Sequence, residues 1–259
     1  MNVLEEIVAA KREEIAIAKA ARPQAELEKE AASYQTNRRP FKQLFERGTA
    51  LIAEIKPKSP AKGELIGGSP LDIADLYEKS EADAISVLTD ERFFGGSIEL
   101  LKQVRARVHQ PILRKDFIVD EYQIYETLLS GADAFLLIAD VLTAENMTKL
   151  MSMGTALGLD YVLEVHDKED IEMALNTGAE LLGINNRDLK SLDIDISTTE
   201  KLLKHVPKNI PVISESGIET AADVRRVRSW GVRGILVGTS ILQSSDPLEK
   251  IRELKAALV

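Results

Sequence analysis

Cysteine is absent from the 259 residues, and with it go disulfides, thiolate zinc sites and cysteine nucleophiles. A cysteine-free chain fits a reducing compartment. No apolar run approaches the roughly 18 residues that span a bilayer. The N-terminal stretch, MNVLEEIVAAKREEIAIAKAARP, alternates charges and lacks the apolar segment and cleavage site of a signal peptide. The expected location is therefore the cytoplasm, without a membrane partner. No run of lysine and arginine marks a helix face and the formal charge is −9, which argues against a nucleic-acid partner. A local cationic pocket for an anionic ligand stays open. The three histidines, His109, His166 and His205, are far apart and show no zinc-ligand spacing, so no metal is expected. His166 is expected to support the site from behind or to lie on the surface. No Gly-x-Gly-x-x-Gly turn follows the first apolar run, as a dinucleotide-binding sheet would require.

What is present is a repeat. From residue 51 onward, short apolar runs alternate with amphipathic stretches of ten to fifteen residues. The runs are Leu51–Ile55, Ala84–Leu88, Pro111–Leu113, Ala134–Ile138, Tyr161–Val165, Leu181–Ile184, Pro211–Ile213 and Gly234–Val237. Continuous apolar runs suit strands buried on both faces, as parallel strands are. Gly131, Gly178 and Gly231 sit where helices should end before a new strand. Eight such units predict an α/β fold, a (βα)8 TIM barrel, at a length typical of one. The length leaves no room for a second barrel. Residues 1–47 read as two polar helical segments broken near Arg22-Pro23, with Leu4, Ile7, Val8, Ile15 and Ala18 at helical spacing. They are expected to pack as an extension on a barrel spanning 48–259.

Barrels of this kind carry chemistry at the C-terminal ends of their strands. Glu54 and Lys56 end the first run, and Lys115 follows the third. Glu164 ends the fifth, Asn185 follows the sixth, and Glu215 with Ser216 follow the seventh. A lysine flanked by carboxylates stays protonated, as a general acid for a carbonyl oxygen must. The competing reading is a ring of ion pairs that only closes the barrel end. Ser216-Gly217 after strand seven and Gly238-Thr239 after strand eight fall in the usual phosphate-binding loops of the fold. A short helix beginning near Thr239 would aim its dipole at the anion, and two ordinary turns are the alternative. Gly238→Val is expected mainly to raise KM. Asp116 reads as an orienting partner. Phe93 and Phe94, beside Gly95-Gly96, either pack on the rim or receive an aromatic group.

Five motifs, in order and at barrel spacing, resemble those of the indole-3-glycerol phosphate synthase family: Glu54-Ile55-Lys56-Pro57-Lys58-Ser59-Pro60, Leu113-Arg114-Lys115-Asp116-Phe117-Ile118, Leu163-Glu164-Val165-His166, Gly183-Ile184-Asn185-Asn186-Arg187-Asp188-Leu189 and Ser214-Glu215-Ser216-Gly217-Ile218. The resemblance covers essentially the whole chain, helical extension included. It departs at Ala61 and Thr239, where the family often carries serine. It implies a carboxy-lyase of tryptophan biosynthesis that closes the indole ring of 1-(2-carboxyphenylamino)-1-deoxyribulose 5-phosphate with loss of CO2 and water, using no metal or organic cofactor. It further implies Lys115 as acid of ring closure, with Glu164, Glu54 and Lys56 serving dehydration. Asn185, Glu215 and Ser216 would hold the sugar and the lysines; Gly217, Gly238, Thr239 and Lys56 would take the phosphate. Phe94, Phe117, Leu136 and Leu189 would wall the anthranilate ring, with Arg187 at its carboxylate and Ser59-Pro60 in the first loop. The sugar-phosphate substrate would be the partner of a monomer. Kept beside this are a pentose-phosphate isomerase, an imine-forming aldolase and a non-catalytic phosphate-sensing barrel.

Overall fold

The computed structural model describes residues 3–35, 38–59, 63–189 and 191–258. Eight parallel strands close on themselves: β1 (Ala50–Ile55), β2 (Ala84–Leu88), β3 (Ile112–Lys115), β4 (Ala134–Ile138), β5 (Asp160–Val165), β6 (Leu182–Asn185), β7 (Val212–Glu215) and β8 (Gly234–Val237). Closure comes from β1, which pairs with both β2 and β8. The expected (βα)8 barrel is the observed one. Three helices precede it, α1 (Val3–Ala21), α2 (Gln24–Ser33) and α3 (Gln43–Arg47). Each strand is then followed by a helix in turn: α4 (Pro70–Glu78), α5 (Ile98–Arg105), α6 (Glu121–Leu129), α7 (Ala144–Ala156), α8 (Lys168–Asn176), α9 (Ser197–Leu203), α10 (Ala221–Trp230) and the single turn α11 (Thr239–Leu242), after which α12 (Pro247–Leu258) ends the fold.

The helix boundaries follow local chemistry. Asp120 and Thr220 close capping boxes at the starts of α6 and α10, and Ser69, Ser97, Thr143 and Asp167 cap α4, α5, α7 and α8. Gly131, Gly178 and Gly231 all take positive φ where the chain leaves a helix, the conformation for which glycine is suited.

Three expectations are corrected. Strands three, six and seven run on to Lys115, Asn185 and Glu215, so these residues end strands rather than follow them. An apolar-run criterion stops at the first polar side chain, whereas the backbone ladder continues through it; Asn185 stands opposite Glu215 in the β6–β7 register. The N-terminal region holds three helices instead of two, because Phe41 and Phe45, buried with ring centroids 5.3 Å apart, anchor a further turn. The stripe of α1 also differs: its buried residues are Leu4, Ile7, Ala10, Lys11 and Ile15.

Candidate active site

Side chains alternate sides along a strand. Ile52, Leu113, Val162 and Ile213, one from each odd-numbered strand, belong to the same buried cluster in the barrel core. Two residues further along each strand, on the same face, stand Glu54, Lys115, Glu164 and Glu215. Interior layers of four from alternate strands are the rule of this fold. Here the uppermost layer is charged, and it forms the floor of a cavity at the C-terminal mouth.

Lys115 organises that layer. Its Nζ donates to Glu164 Oε2 at 3.0 Å and to Glu215 Oε2 at 2.8 Å, with both carboxylates almost wholly buried. Burial alone would depress the lysine, but the charges of Glu164, Glu215 and Glu54 outweigh it and hold the ammonium above the usual range. Glu164 is driven well below the usual carboxylate range: burial opposes this, and Lys115, His166 and the Asn185 amide overcome it. Glu215 moves the other way, pushed up to about 7 by burial, with the charges of Glu164 and Glu54 adding to the push against the pull of Lys115. The layer therefore offers a committed cation, a committed anion and a carboxyl group that changes charge near neutrality. Glu54 holds the Lys56 ammonium. Asn185 Nδ2 donates to Glu164 Oε1 at 3.1 Å, which fixes the carboxylate from the β6 side.

Around this floor the walls differ in character. Phe94, after β2, and Phe117, after β3, face each other with centroids 6.1 Å apart. Leu136, Leu189, Ile194 and Leu236 extend the apolar side, and Arg187 stands on the same cavity, its Nη1 donating to the Leu192 carbonyl at 2.8 Å. The opposite side is built by Ser216, Gly217, Gly238, Thr239 and Ser240. Ser216 and Gly217 are successive left-handed residues, φ 65° and 76°, a turn that bares backbone N–H groups. Because α11 is one turn, the anion-binding capacity of this side rests on loop N–H groups rather than on a long helix dipole.

Of the residues singled out from sequence, Glu54, Lys56, Phe94, Lys115, Phe117, Leu136, Glu164, Asn185, Arg187, Leu189, Glu215, Ser216, Gly217, Gly238 and Thr239 line this one cavity. Ser59 lines a smaller adjoining cavity, shared with Phe94, Phe117, Arg187, Thr239 and with Val3, Leu4 and Ile7 of α1. Pro60 lies outside the described residues. The expectation for Gly238 changes: a Cβ there would stand 2.6 Å from Glu54 Oε1 and 3.1 Å from its Cβ. Valine at 238 would displace Glu54 as well as crowd an anion, so it does not isolate phosphate binding.

One group was missed. Lys11 of α1, only 4% exposed, places its ammonium 2.9 Å from Asp90 and 3.1 Å from Asp116, both buried. Asp90 Oδ1 in turn accepts the Phe93 and Phe94 N–H groups at 2.8 and 3.3 Å, and Asp116 accepts from Arg114 at 2.9 Å and Thr89 at 2.7 Å. The signal was a cation inside an apolar stripe, Leu4, Ile7, Lys11 and Ile15. Lys11→Met leaves Arg114 on Asp116 but strips Asp90 of its cation. Breaking a buried pair costs about 3–5 kcal/mol, and the remaining Arg114 places this case at the lower end. A fall in Tm of about ten degrees is expected, at roughly 2–4 °C per kcal/mol for a chain of this size; thermal unfolding followed by circular dichroism reads it directly. An unchanged Tm would mean that the pair is not formed.

Comparisons with known proteins bear on this geometry. The family model described as indole-3-glycerol phosphate synthase matches residues 4–254. A protein of that name from Caldanaerobacter subterraneus is 45% identical over 246 residues, 94% of each chain. Another from Thermoanaerobacter pseudethanolicus is 43% identical over 254 residues, 97% of this chain and 96% of its own. Among solved structures, 3-hexulose-6-phosphate synthase from Salmonella typhimurium covers 81% of this chain and 98% of its own with a TM-score of 0.67 at 15% identity. Thiamine phosphate pyrophosphorylase from Pyrococcus furiosus gives 0.61 at 18% identity, covering 83% of this chain and 97% of its own. At such identities these two show the shared fold alone.

Proposed function

Given that the chain belongs to the indole-3-glycerol phosphate synthase family and is thus a decarboxylating carbon–carbon lyase of tryptophan biosynthesis, we propose that the charged top layer of its barrel carries out the ring closure. The family's reaction turns 1-(2-carboxyphenylamino)-1-deoxyribulose 5-phosphate into indole-3-glycerol phosphate, CO2 and water. The observation that carries the assignment is Lys115, an ammonium held between Glu164 and Glu215 on the floor of a cavity with an aromatic wall on one side and glycine loops on the other.

In this reading the anthranilate ring lies against Phe94, Phe117, Leu136 and Leu189, with Arg187 at its carboxylate. The phosphate takes the N–H groups of the Ser216-Gly217 and Gly238-Thr239 loops, with Lys56 as counter-charge. Those two anchors bring the ribulose carbonyl over Lys115. As the aromatic carbon that bears the carboxylate attacks the carbonyl, negative charge grows on its oxygen and Lys115 supplies the proton. Loss of CO2 restores the aromatic ring. Dehydration then needs an acid for the departing hydroxyl and a base for a proton of the new ring. Glu164 acts on the ring and its intermediate; Glu54 exchanges protons with Lys56 near the sugar. Asn185, Glu215 and Ser216 orient these groups and the sugar hydroxyls. A lysine held as ammonium is a poor amine nucleophile, which counts against an imine-forming aldolase.

The same reading assigns residues 48–259 to the catalytic barrel and 1–47 to an extension that serves it. A monomer is the working unit of this reading. Among the described residues no helix is long and apolar enough to cross a membrane. The cysteine-free composition and the phosphorylated substrate support a cytoplasmic location, and the net charge of −9 supports no nucleic-acid partner.

Two experiments test the reading. Incubation with the carboxyphenylamino sugar phosphate should yield indole-type fluorescence, and no signal at saturating substrate would refute the activity. Inorganic phosphate should raise the apparent KM while leaving kcat unchanged. Mixed or absent inhibition would move the phosphate away from the two glycine loops.

A further inference from the structure

Glu164 has a cationic partner at one oxygen and an imidazole ring at the other. Lys115 takes Oε2 from within at 3.0 Å. Just past the end of β5, His166 sets Nε2 3.2 Å from the other oxygen, Oε1. The His166 side chain is only 10% exposed and does not line the substrate cavity. Its opposite ring nitrogen, Nδ1, lies 3.5 Å from Asp140 Oδ2, on the turn after β4, and 3.8 Å from Asp170 Oδ2, on α8. Asp170 also accepts the His166 backbone N–H at 2.8 Å, which ties the residue to the start of α8. A second, polar cavity adjoins the first at Asn185, Arg187 and Leu189 and is lined by Asp140, His166 and Asp167 among others.

The charges around the ring are one-sided. Glu164 comes from β5, Asp140 from the β4 turn and Asp170 from α8; beyond Glu164 stand Lys115 of β3, Asn185 of β6 and Glu215 of β7. A neutral imidazole has a single N–H and would turn a lone pair towards a carboxylate on one side or the other. Neither ring nitrogen meets hydrogen-bond geometry with these carboxylates, so the contacts are ion pairs, and only the imidazolium brings charge to both sides.

We propose that His166 is a positioning residue for the lyase reaction, an imidazolium braced by Asp140 and Asp170 that keeps Glu164 ionised from the adjoining cavity. This rests on the role given to Glu164 above. Its value lies in the order of steps. When Lys115 gives its proton to the ribulose oxygen, Glu164 loses the cation on its inner side. Without a second cation the carboxylate would become more basic at that moment and take up a proton before dehydration needs it. His166 remains charged throughout, because burial, which would depress it, is outweighed by Asp170, Glu164 and Asp140, and its ionisation rises to about 10.

The test is the pH dependence of kcat. His166→Gln keeps an amide donor near the Nε2 position and removes the charge. Once Lys115 has given up its proton, only the charge of His166 holds Glu164 down. Without that charge the acid limb of kcat, which reports the bound states, should move up by about one unit or more, with KM at pH 8 nearly unchanged. Asp140→Asn touches neither Glu164 nor the substrate cavity and should weaken the brace, moving the limb in the same direction by less. If both variants keep the parental limb, or lose only thermal stability, the proposal fails. A parental profile that shifts when a chelator is added would also overturn it, since the outer charge would then be a bound metal ion. Glu164→Gln in parallel separates the two levels: parental turnover there would sink the role of Glu164 itself, whereas an inactive Glu164→Gln with an unmoved His166→Gln profile sinks only the role of His166.

Discussion

Lys115→Met should turn over about two to four decades more slowly than the parent, the range typical for removal of a general acid, with its far-ultraviolet circular dichroism retained. The magnitude follows from what the lysine alone supplies. Lys56 is occupied by Glu54, and Arg187 is held by the Leu192 carbonyl at 2.8 Å on the apolar side. Neither can stand in for an ammonium on the cavity floor. The substitution also leaves Glu164 and Glu215 facing each other without a cation. Glu215, already raised to about 7 by burial and its neighbours, relieves that by taking a proton, which is why the fold should survive. Lys115→Arg keeps the charge but replaces a compact ammonium with a wide planar fork, and should recover little. Parental kcat in Lys115→Met, measured by indole fluorescence at saturating substrate, would remove Lys115 from the mechanism.

Glu164→Gln should lower kcat by about two to three decades, within the span of acid–base contributions. Shape is preserved and charge removed, so packing is not at issue. Glu164 now accepts at both oxygens, from Lys115 at 3.0 Å and from Asn185 at 3.1 Å. A glutamine must turn its own donor towards one of them, which misplaces either the lysine or the asparagine. The loss should fall mainly on kcat, because the proposed ring wall and phosphate-binding loops are untouched. A change confined to KM would instead place Glu164 among the binding groups.

Much of this site was legible before the fold was known. Glu54, Lys115, Glu164 and Glu215 each stand at the end of an apolar, β-branched run, and one rule of the barrel sends all such ends to one mouth. What could not be read was how they meet. Strands one and five are opposite each other, as are three and seven, and strand position alone does not say which side chains reach across. Yet Lys115 bonds Glu215 across the barrel, since a lysine is long enough to cross the layer that shorter side chains only line. His166 was expected behind the site or on the surface; it lies beside Glu164 with Asp140 and Asp170, contributed by two other elements, at its far nitrogen. Lys11 is the same case on the other side, because helical spacing shows that it faces inward but not that two buried aspartates await it. Strand ends were misjudged for a local reason: hydrophobicity falls at Lys115, Asn185 and Glu215 before the hydrogen-bond ladder does.

The central claim is a division of labour, with Lys115 acting at ring closure and Glu164 at the dehydration that follows. Following CO2 release and indole fluorescence together under single-turnover conditions, in the parent, Lys115→Met and Glu164→Gln, tests it most directly. Lys115→Met should slow both signals together, while Glu164→Gln should release CO2 ahead of a lagging indole signal as a decarboxylated intermediate accumulates. Both signals slowing in step in both variants, or CO2 appearing at the parental rate without Lys115, would contradict it.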